Sequence, residues 1–212
     1  MTKGRLKVGK NNFLEYVFYS KFGCPITHNA DLLNNIIENF IDFKVNSLVD
    51  LGCGDGKITA EIAKKLDTRN ILGMDINENL LNLCNFNTMC LDLTEKIKLK
   101  DKLKFDLALI INFLHHTKRK RMILENAKSL SKNIIVVEPV YSEKKLKRFF
   151  QKIYPFEWGR EIKRLNELKG IFSEMRLNVK KESLIKSSIP PYDRAIILLK
   201  GDNAQKVNRN IN

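Results

Sequence analysis

Residues able to do chemistry crowd into one short run, Asp50-Leu51-Gly52-Cys53-Gly54-Asp55-Gly56. Three alternating glycines let the backbone approach a ligand where any Cβ would collide. Asp50 and Asp55 flank the turn. Two carboxylates would repel a pyrophosphate and would suit a ligand carrying an ammonium or sulfonium charge. The spacing Gly52-x-Gly54-x-Gly56 also departs from the G-x-G-x-x-G and G-x-x-x-x-G-K-[ST] fingerprints that seat phosphates. Two further acids, Asp75 and Asp92, follow downstream. An acid at the end of a second strand accepts hydrogen bonds from ribose hydroxyls. His115 and His116 form a titratable pair that could take a proton from a hydroxyl or amine. Taken singly, each histidine reads as a strand-end cap or a packing residue, and Asp92 as a turn residue.

These residues need elements to hold them. Val45–Leu51 is apolar and rich in β-branched residues, which reads as a buried strand. Ile58, Ile62, Ala63 and Leu66 fall at helical spacing directly behind the glycines. The turn therefore lies at the carboxyl end of a strand, where open α/β sheets bind nucleotide-like ligands. Asn70–Asp75 reads as a second strand and Cys90–Leu93 as the end of a third. Phe105–Asn112 is a fourth, and Asn133–Glu138 a fifth that stops at Pro139. Phe13–Phe22 and Asn29–Phe43 read as helices ahead of the first strand, joined by a turn at Gly23-Cys24-Pro25. A helix is expected around Asn166–Met175.

The string Asp50-x-Gly52-Cys53-Gly54-x-Gly56 resembles motif I of the class I methyltransferases that use S-adenosylmethionine. Phe105–Asn112, running into Phe113-Leu114-His115-His116, is similar to their motif IV region. The resemblance covers about residues 45 to 140 and extends more weakly to Ala195–Leu199. It implies an α/β fold: a Rossmann-like, seven-stranded, mostly parallel sheet with an antiparallel last strand, helices on both faces and an N-terminal helical extension. The implied cofactor is S-adenosyl-L-methionine, held by Asp50, Gly52, Cys53, Gly54, Asp55, Gly56, Asp75, Ile76, Asp92, Leu93 and Asn112. Asp92 would meet the adenine amino group and Asn112 the methionine end. His115 and His116 would face the substrate as catalytic candidates, and Tyr16 and Tyr19 would touch the cofactor.

The expected organisation is a helical cap over residues 1–44, a methyltransferase domain over 45–200 and a polar tail over 201–212. Residues 141–165 form a basic, aromatic stretch at the carboxyl edge of the sheet, placed to lid a substrate. Ile189-Pro190-Pro191-Tyr192 lacks the leading Asn or Asp of amine-methylating motifs and reads as a turn. The four cysteines form no C-x-x-C pair, so zinc and a disulfide frame are not expected. No apolar run reaches membrane-span length, and no signal core follows the basic start, so a cytoplasmic protein is expected.

The net charge of +14 would attract a polyanion. Lys118-Arg119-Lys120-Arg121 stands near a helix start, where positive charge opposes the helix dipole, and this hints at an anionic substrate. Three functions fit. A small-molecule methyltransferase comes first, an RNA methyltransferase second, and a non-catalytic cofactor-binding partner subunit third.

Overall fold

A computed structural model describes residues 30–98, 104–153, 161–186 and 192–201. Helix α1 (Ala30–Phe40) precedes β1 (Ser47–Leu51), α2 (Lys57–Lys65) and β2 (Asn70–Asp75). A one-turn α3 (Glu78–Leu81) leads to β3 (Asn87–Cys90), then β4 (Leu107–Ile111) and a single 3-10 turn over Leu114–His116. Next come α4 (Lys120–Leu130), β5 (Asn133–Tyr141), α5 (Lys145–Ile153) and a two-residue β6 (Lys163–Arg164). The described chain closes with α6 (Leu165–Glu174), β7 (Leu177–Ile185) and β8 (Asp193–Gly201). The expected first helix with Tyr16 and Tyr19, its turn, the dipeptide Pro190-Pro191 and the tail beyond 201 lie outside the described residues.

The sheet runs β3-β2-β1-β4-β5-β8-β7, with β6 paired to β5 off that path. β1 to β5 are parallel, and β8 inserts antiparallel between β5 and β7. This is the expected Rossmann-like arrangement with its antiparallel last strand, enlarged by the short β6. Strands buried on both faces read as continuous apolar runs, as Leu-Ala-Leu-Ile-Ile in β4 does. On one face Val49, Leu51, Ala108 and Ile110 pack with Ile123, Leu124 and Ala127 of α4 and Leu168 and Phe172 of α6. On the other, Leu48, Leu107, Leu109 and Ile135 pack with Ile36 and Phe40 of α1 and Ile62 of α2. Asp50 shares this second face, which points it at α2.

β1 and β4 are shorter than expected, spanning Ser47–Leu51 and Leu107–Ile111, and two other strand ends also differ. β3 stops at Cys90, so Asp92 lies in the turn beyond the strand. β5 runs through Pro139 to Tyr141, because β4 stops pairing at Ile111↔Val137. Beyond that pair the missing proline N–H is tolerated as it is at a sheet edge.

Phe172 is fully buried between α6 and the sheet. Phe172→Ala should lower unfolding free energy by about 3–5 kcal/mol in a urea titration. A loss below about 1 kcal/mol would place α6 outside the cooperative core.

Candidate active site

The glycine turn is tied to β2 before any ligand arrives. Gly52 and Cys53 both donate backbone N–H bonds to the Met74 carbonyl, at 2.7 and 3.2 Å. Gly54 N donates to Asp75 Oδ2 at 3.0 Å, and Asp75 Oδ1 accepts from Asn77 N at 2.9 Å. Gly52 and Gly54 both lie at positive φ, for different reasons. A Cβ on Gly52 would fall 2.4 Å from the Phe113 ring, whereas one on Gly54 would meet nothing within 4 Å. Gly52 is thus small for packing, and Gly54 presents bare backbone to open space at the carboxyl edge.

Asp50 is buried behind the turn. Its Oδ2 accepts from Thr59 Oγ1 at 2.5 Å, while Oδ1 is buried without a partner in the described structure. Burial raises the Asp50 pKa from 3.8 to about 7, against the Thr59 hydrogen bond, with the Asp75 charge adding to the rise. A buried oxygen lacking a donor needs one from outside. Asp55 turns the other way and pairs with Lys57 at 2.8 Å. Asp92 Oδ1 accepts from Thr94 N and Thr94 Oγ1 at 2.8 and 2.7 Å, an Asx turn. Ile76 is an exposed large hydrophobe beside Asp75, and Leu93 is buried in the core. The Cys53 thiol fills the space over Gly73, and burial pushes its pKa up.

The residues after β4 are organised by a side chain that the sequence reading left unused. Glu138 of β5 is almost fully buried. Its carboxylate accepts from Phe113 N and Leu114 N at 2.7 Å each, from His115 N at 3.2 Å, and meets His115 Nδ1 at 2.7 Å. A carboxylate that already receives three backbone donors accepts a fourth, so Nδ1 carries the proton and Nε2 is left to act. The His115 and His116 rings lie 4.2 Å apart. Loss of water around the ring, reinforced by His115, lowers the His116 pKa to about 4. A lone acid directly behind the apolar run Ile134–Val137 was the signal for Glu138.

Asn112 ends β4 in the left-handed region, at φ 53. Its Oδ1 accepts from Arg194 Nη1 at 2.7 Å. Arg194 and Asp193 open β8, opposite Pro139 and Val140 of β5, so both stand at the same carboxyl edge. Asp193 pairs with Lys147 of α5 at 2.5 Å, and Tyr141 meets Tyr192 edge-on at 5.5 Å. The sequence reading missed this wall, because its members are far apart along the chain.

Most of the basic cluster is paired within the chain. Arg119 pairs with Glu95 at 2.5 Å and Arg121 with Glu174. Lys120 is buried and donates to the Thr117 carbonyl at 2.6 Å. Three of its four cations serve the fold, and Lys118 remains exposed.

Residues 49–133, which span the glycine turn, Asp50, Asp55, Asp75 and Asp92, and both histidines, match the family model of a methyltransferase domain. This stretch of the chain is a methyltransferase domain of the S-adenosylmethionine-dependent kind. No curated protein matches its sequence. Among solved structures, the magnesium protoporphyrin IX methyltransferase of Synechocystis PCC 6803, solved with bound SAH, is 13% identical. Its TM-score is 0.64, with 91% of this chain and 95% of that one covered. The plantazolicin methyltransferase BpumL, solved with a desmethylplantazolicin analogue and SAH, is 14% identical at TM-score 0.63, covering 91% and 92%. A methyltransferase of Methanosarcina mazei is 18% identical at TM-score 0.60, covering 78% and 96%. At these identities the likeness is one of fold.

The methyltransferase's own residues fit S-adenosylmethionine. The unpartnered Asp50 oxygen suits an ammonium donor, and the open approach at Gly54 leaves the backbone bare. Among the described residues no cluster of histidine, cysteine and acid could hold a metal, and no helix is long and apolar enough to cross a membrane.

Two outcomes follow. Gly54→Ala should cost only the about 1 kcal/mol of a left-handed alanine yet bind S-adenosylhomocysteine at least about tenfold more weakly, whereas Gly52→Ala should lower the melting temperature further, because the Phe113 clash adds to the same backbone strain. Equal effects of the two on stability would refute the distinction. Asp50 must ionise to meet an ammonium, so S-adenosylhomocysteine affinity by calorimetry should rise as pH passes upward through about 7. The raised pKa also means that Asp50's contribution to apo stability falls as pH climbs from 3.8 to about 7. Asp50→Asn should flatten both profiles.

Proposed function

We propose that the methyltransferase acts on a small-molecule acceptor in the cytoplasm. The observation that supports this most is the wall beyond β4, β5 and β8. Its polar members are largely buried and already paired, Arg194 with Asn112 and Asp193 with Lys147, beside the Tyr141–Tyr192 contact. A largely preformed, aromatic-lined site with a few fixed polar groups suits a bounded ligand. Two fold neighbours, named for magnesium protoporphyrin IX and for plantazolicin, act on compounds of bounded size. The RNA reading rests on the +14 charge, and the internal pairing of Arg119 and Arg121 weakens it. The non-catalytic reading is disfavoured by the oriented Glu138–His115 pair.

In this reading Asp75 takes the ribose hydroxyls, Ile76, Asp92 and Leu93 the adenine, Asp50 the ammonium and Asn112 the methionine end. Cys53, Asp55 and Gly56 shape the turn around them. When bound, S-adenosylmethionine supplies an electrophilic methyl group on a sulfonium sulfur. His115 Nε2 accepts the acceptor's proton, because Glu138 holds the ring by Nδ1. His116, with its pKa lowered to about 4 by burial, lines the site. Residues 1–44 act as a cap and 141–165 as a lid, with α5 tied to β8 through Lys147.

Incubation with methyl-labelled S-adenosylmethionine and a deproteinised cell extract should place label in the small-molecule or lipid fraction. Label released by ribonuclease would replace this reading with the RNA one. His115→Asn and Glu138→Gln should each lower kcat by about 100-fold while S-adenosylhomocysteine affinity stays within about twofold. Unchanged turnover in both would remove the base assignment, and a parallel loss of cofactor affinity would make Glu138 purely structural.

A further inference from the structure

A second concavity lies at the opposite end of the strands from the glycine turn. It is an open cleft of about 400 Å³ between the last turns of α2 and the amino ends of β2 and β3. Ile71 and Ala63 form its floor. From Ile71 to Asp75 is four residues of β2, roughly 13 Å along the strand, so the cleft is separate from the cofactor's ribose site.

The chemistry of its rim is specific in kind. Lys64 and Arg69 supply two cations, Asn85 and Asn87 two side-chain amides, and Phe86 a half-buried ring between them. No acid lines the cleft. Elsewhere on this surface Arg119, Arg121, Arg164 and Lys169 are all held by glutamates. The side chains of Lys64, Arg69, Asn85 and Asn87 make no hydrogen bond or ion pair among the described residues. An arginine fork and a lysine match phosphate oxygens. Amides offer a donor and an acceptor to a base edge, and an aromatic ring offers a stacking face.

We propose that this cleft binds a nucleotide, its phosphate on Lys64 and Arg69 and its base against Phe86 between the two asparagines. The nucleotide is either free or one unit of an RNA strand. The proposal does not depend on which acceptor receives the methyl group.

The site is also coupled to the cofactor turn by a shared wall. The Phe86 ring lies where a Cβ on Gly56 or Gly73 would meet it, at 2.6 and 2.8 Å. Gly56 ends the glycine turn and Gly73 pairs with Asp50 across β1 and β2. A ligand that shifts Phe86 therefore presses on the cofactor turn, and any coupling between the two affinities is reciprocal.

The test uses the full chain saturated with S-adenosylhomocysteine, so that the adenosine site is filled. UMP and a uridine-rich oligoribonucleotide are titrated separately, by calorimetry and by fluorescence anisotropy. Binding should weaken with added salt and fall about tenfold or more in the double variant Lys64→Gln/Arg69→Gln. Both side chains are exposed, and unchanged S-adenosylhomocysteine affinity in that variant confirms its fold. UMP binding assigns the site to a free nucleotide, and oligonucleotide binding without UMP binding assigns it to an RNA strand. Absence of binding by either probe at millimolar concentration overturns the proposal. So does binding that the double variant leaves unchanged.

Discussion

The Glu138 carboxylate holds the carboxyl edge of the sheet together. Three successive backbone N–H groups and one imidazole converge on it, all within 3.2 Å. Those donors follow β4 directly, where a parallel strand ends and its backbone has no further ladder partner. Capturing them fixes the turn that carries Phe113 and both histidines. The Phe113 ring then occupies the space over Gly52, so the cofactor turn takes its shape partly from a residue on another strand. One buried acid thus positions the glycine loop and the imidazole pair at once. An apolar residue there would leave several backbone donors buried and unmet, at about 1–3 kcal/mol each.

Burying charge at this edge is tolerated only where partners are supplied. Glu138 has four donors, and Asp193 has the Lys147 ammonium. Asp50 is the exception, with one oxygen satisfied by Thr59 and the other bare. The fold answers by favouring the protonated acid, which lets the empty site exist near neutral pH without a naked buried charge. A cationic group arriving there completes the hydrogen bonding that the chain leaves open. Functional sites are where such local dissatisfaction is expected, because consistency elsewhere supports it.

What was legible in the sequence was local. The strand, glycine turn and helix from Ser47 to Lys65 are contiguous, so their period and spacing show in one window. β2 matches its expected span from Asn70 to Asp75 for the same reason. Reach in sequence limits the rest. Glu138 finds His115 across 23 positions and Arg194 finds Asn112 across 82, distances at which residue types carry no pairing signal. Lys118–Arg121 showed its charge but not the glutamates that bind two of its members, one 53 positions away. Pro139 read as a stop because proline breaks ladders in general, yet β4 ends before the break matters. Asp92 sits in a turn because β3 is only four residues long, too short for an alternation pattern to mark its end.

The position of β8 has a consequence for how the enzyme is made. It is the last described strand to be synthesised, yet it occupies the interior of the sheet between β5 and β7. Until the ribosome releases residues 193–201, β5 exposes a long unpaired edge and β7 has no neighbour. Arg194 and Asp193 travel with that strand, so their pairs with Asn112 and Lys147 are absent from every shorter nascent chain. A polypeptide growing from its amino end can therefore assemble the glycine turn early while its substrate side stays open. Vectorial synthesis thus separates the glycine turn from the β5–β8 edge in time, and late strand insertion makes that edge the part most exposed to mispairing.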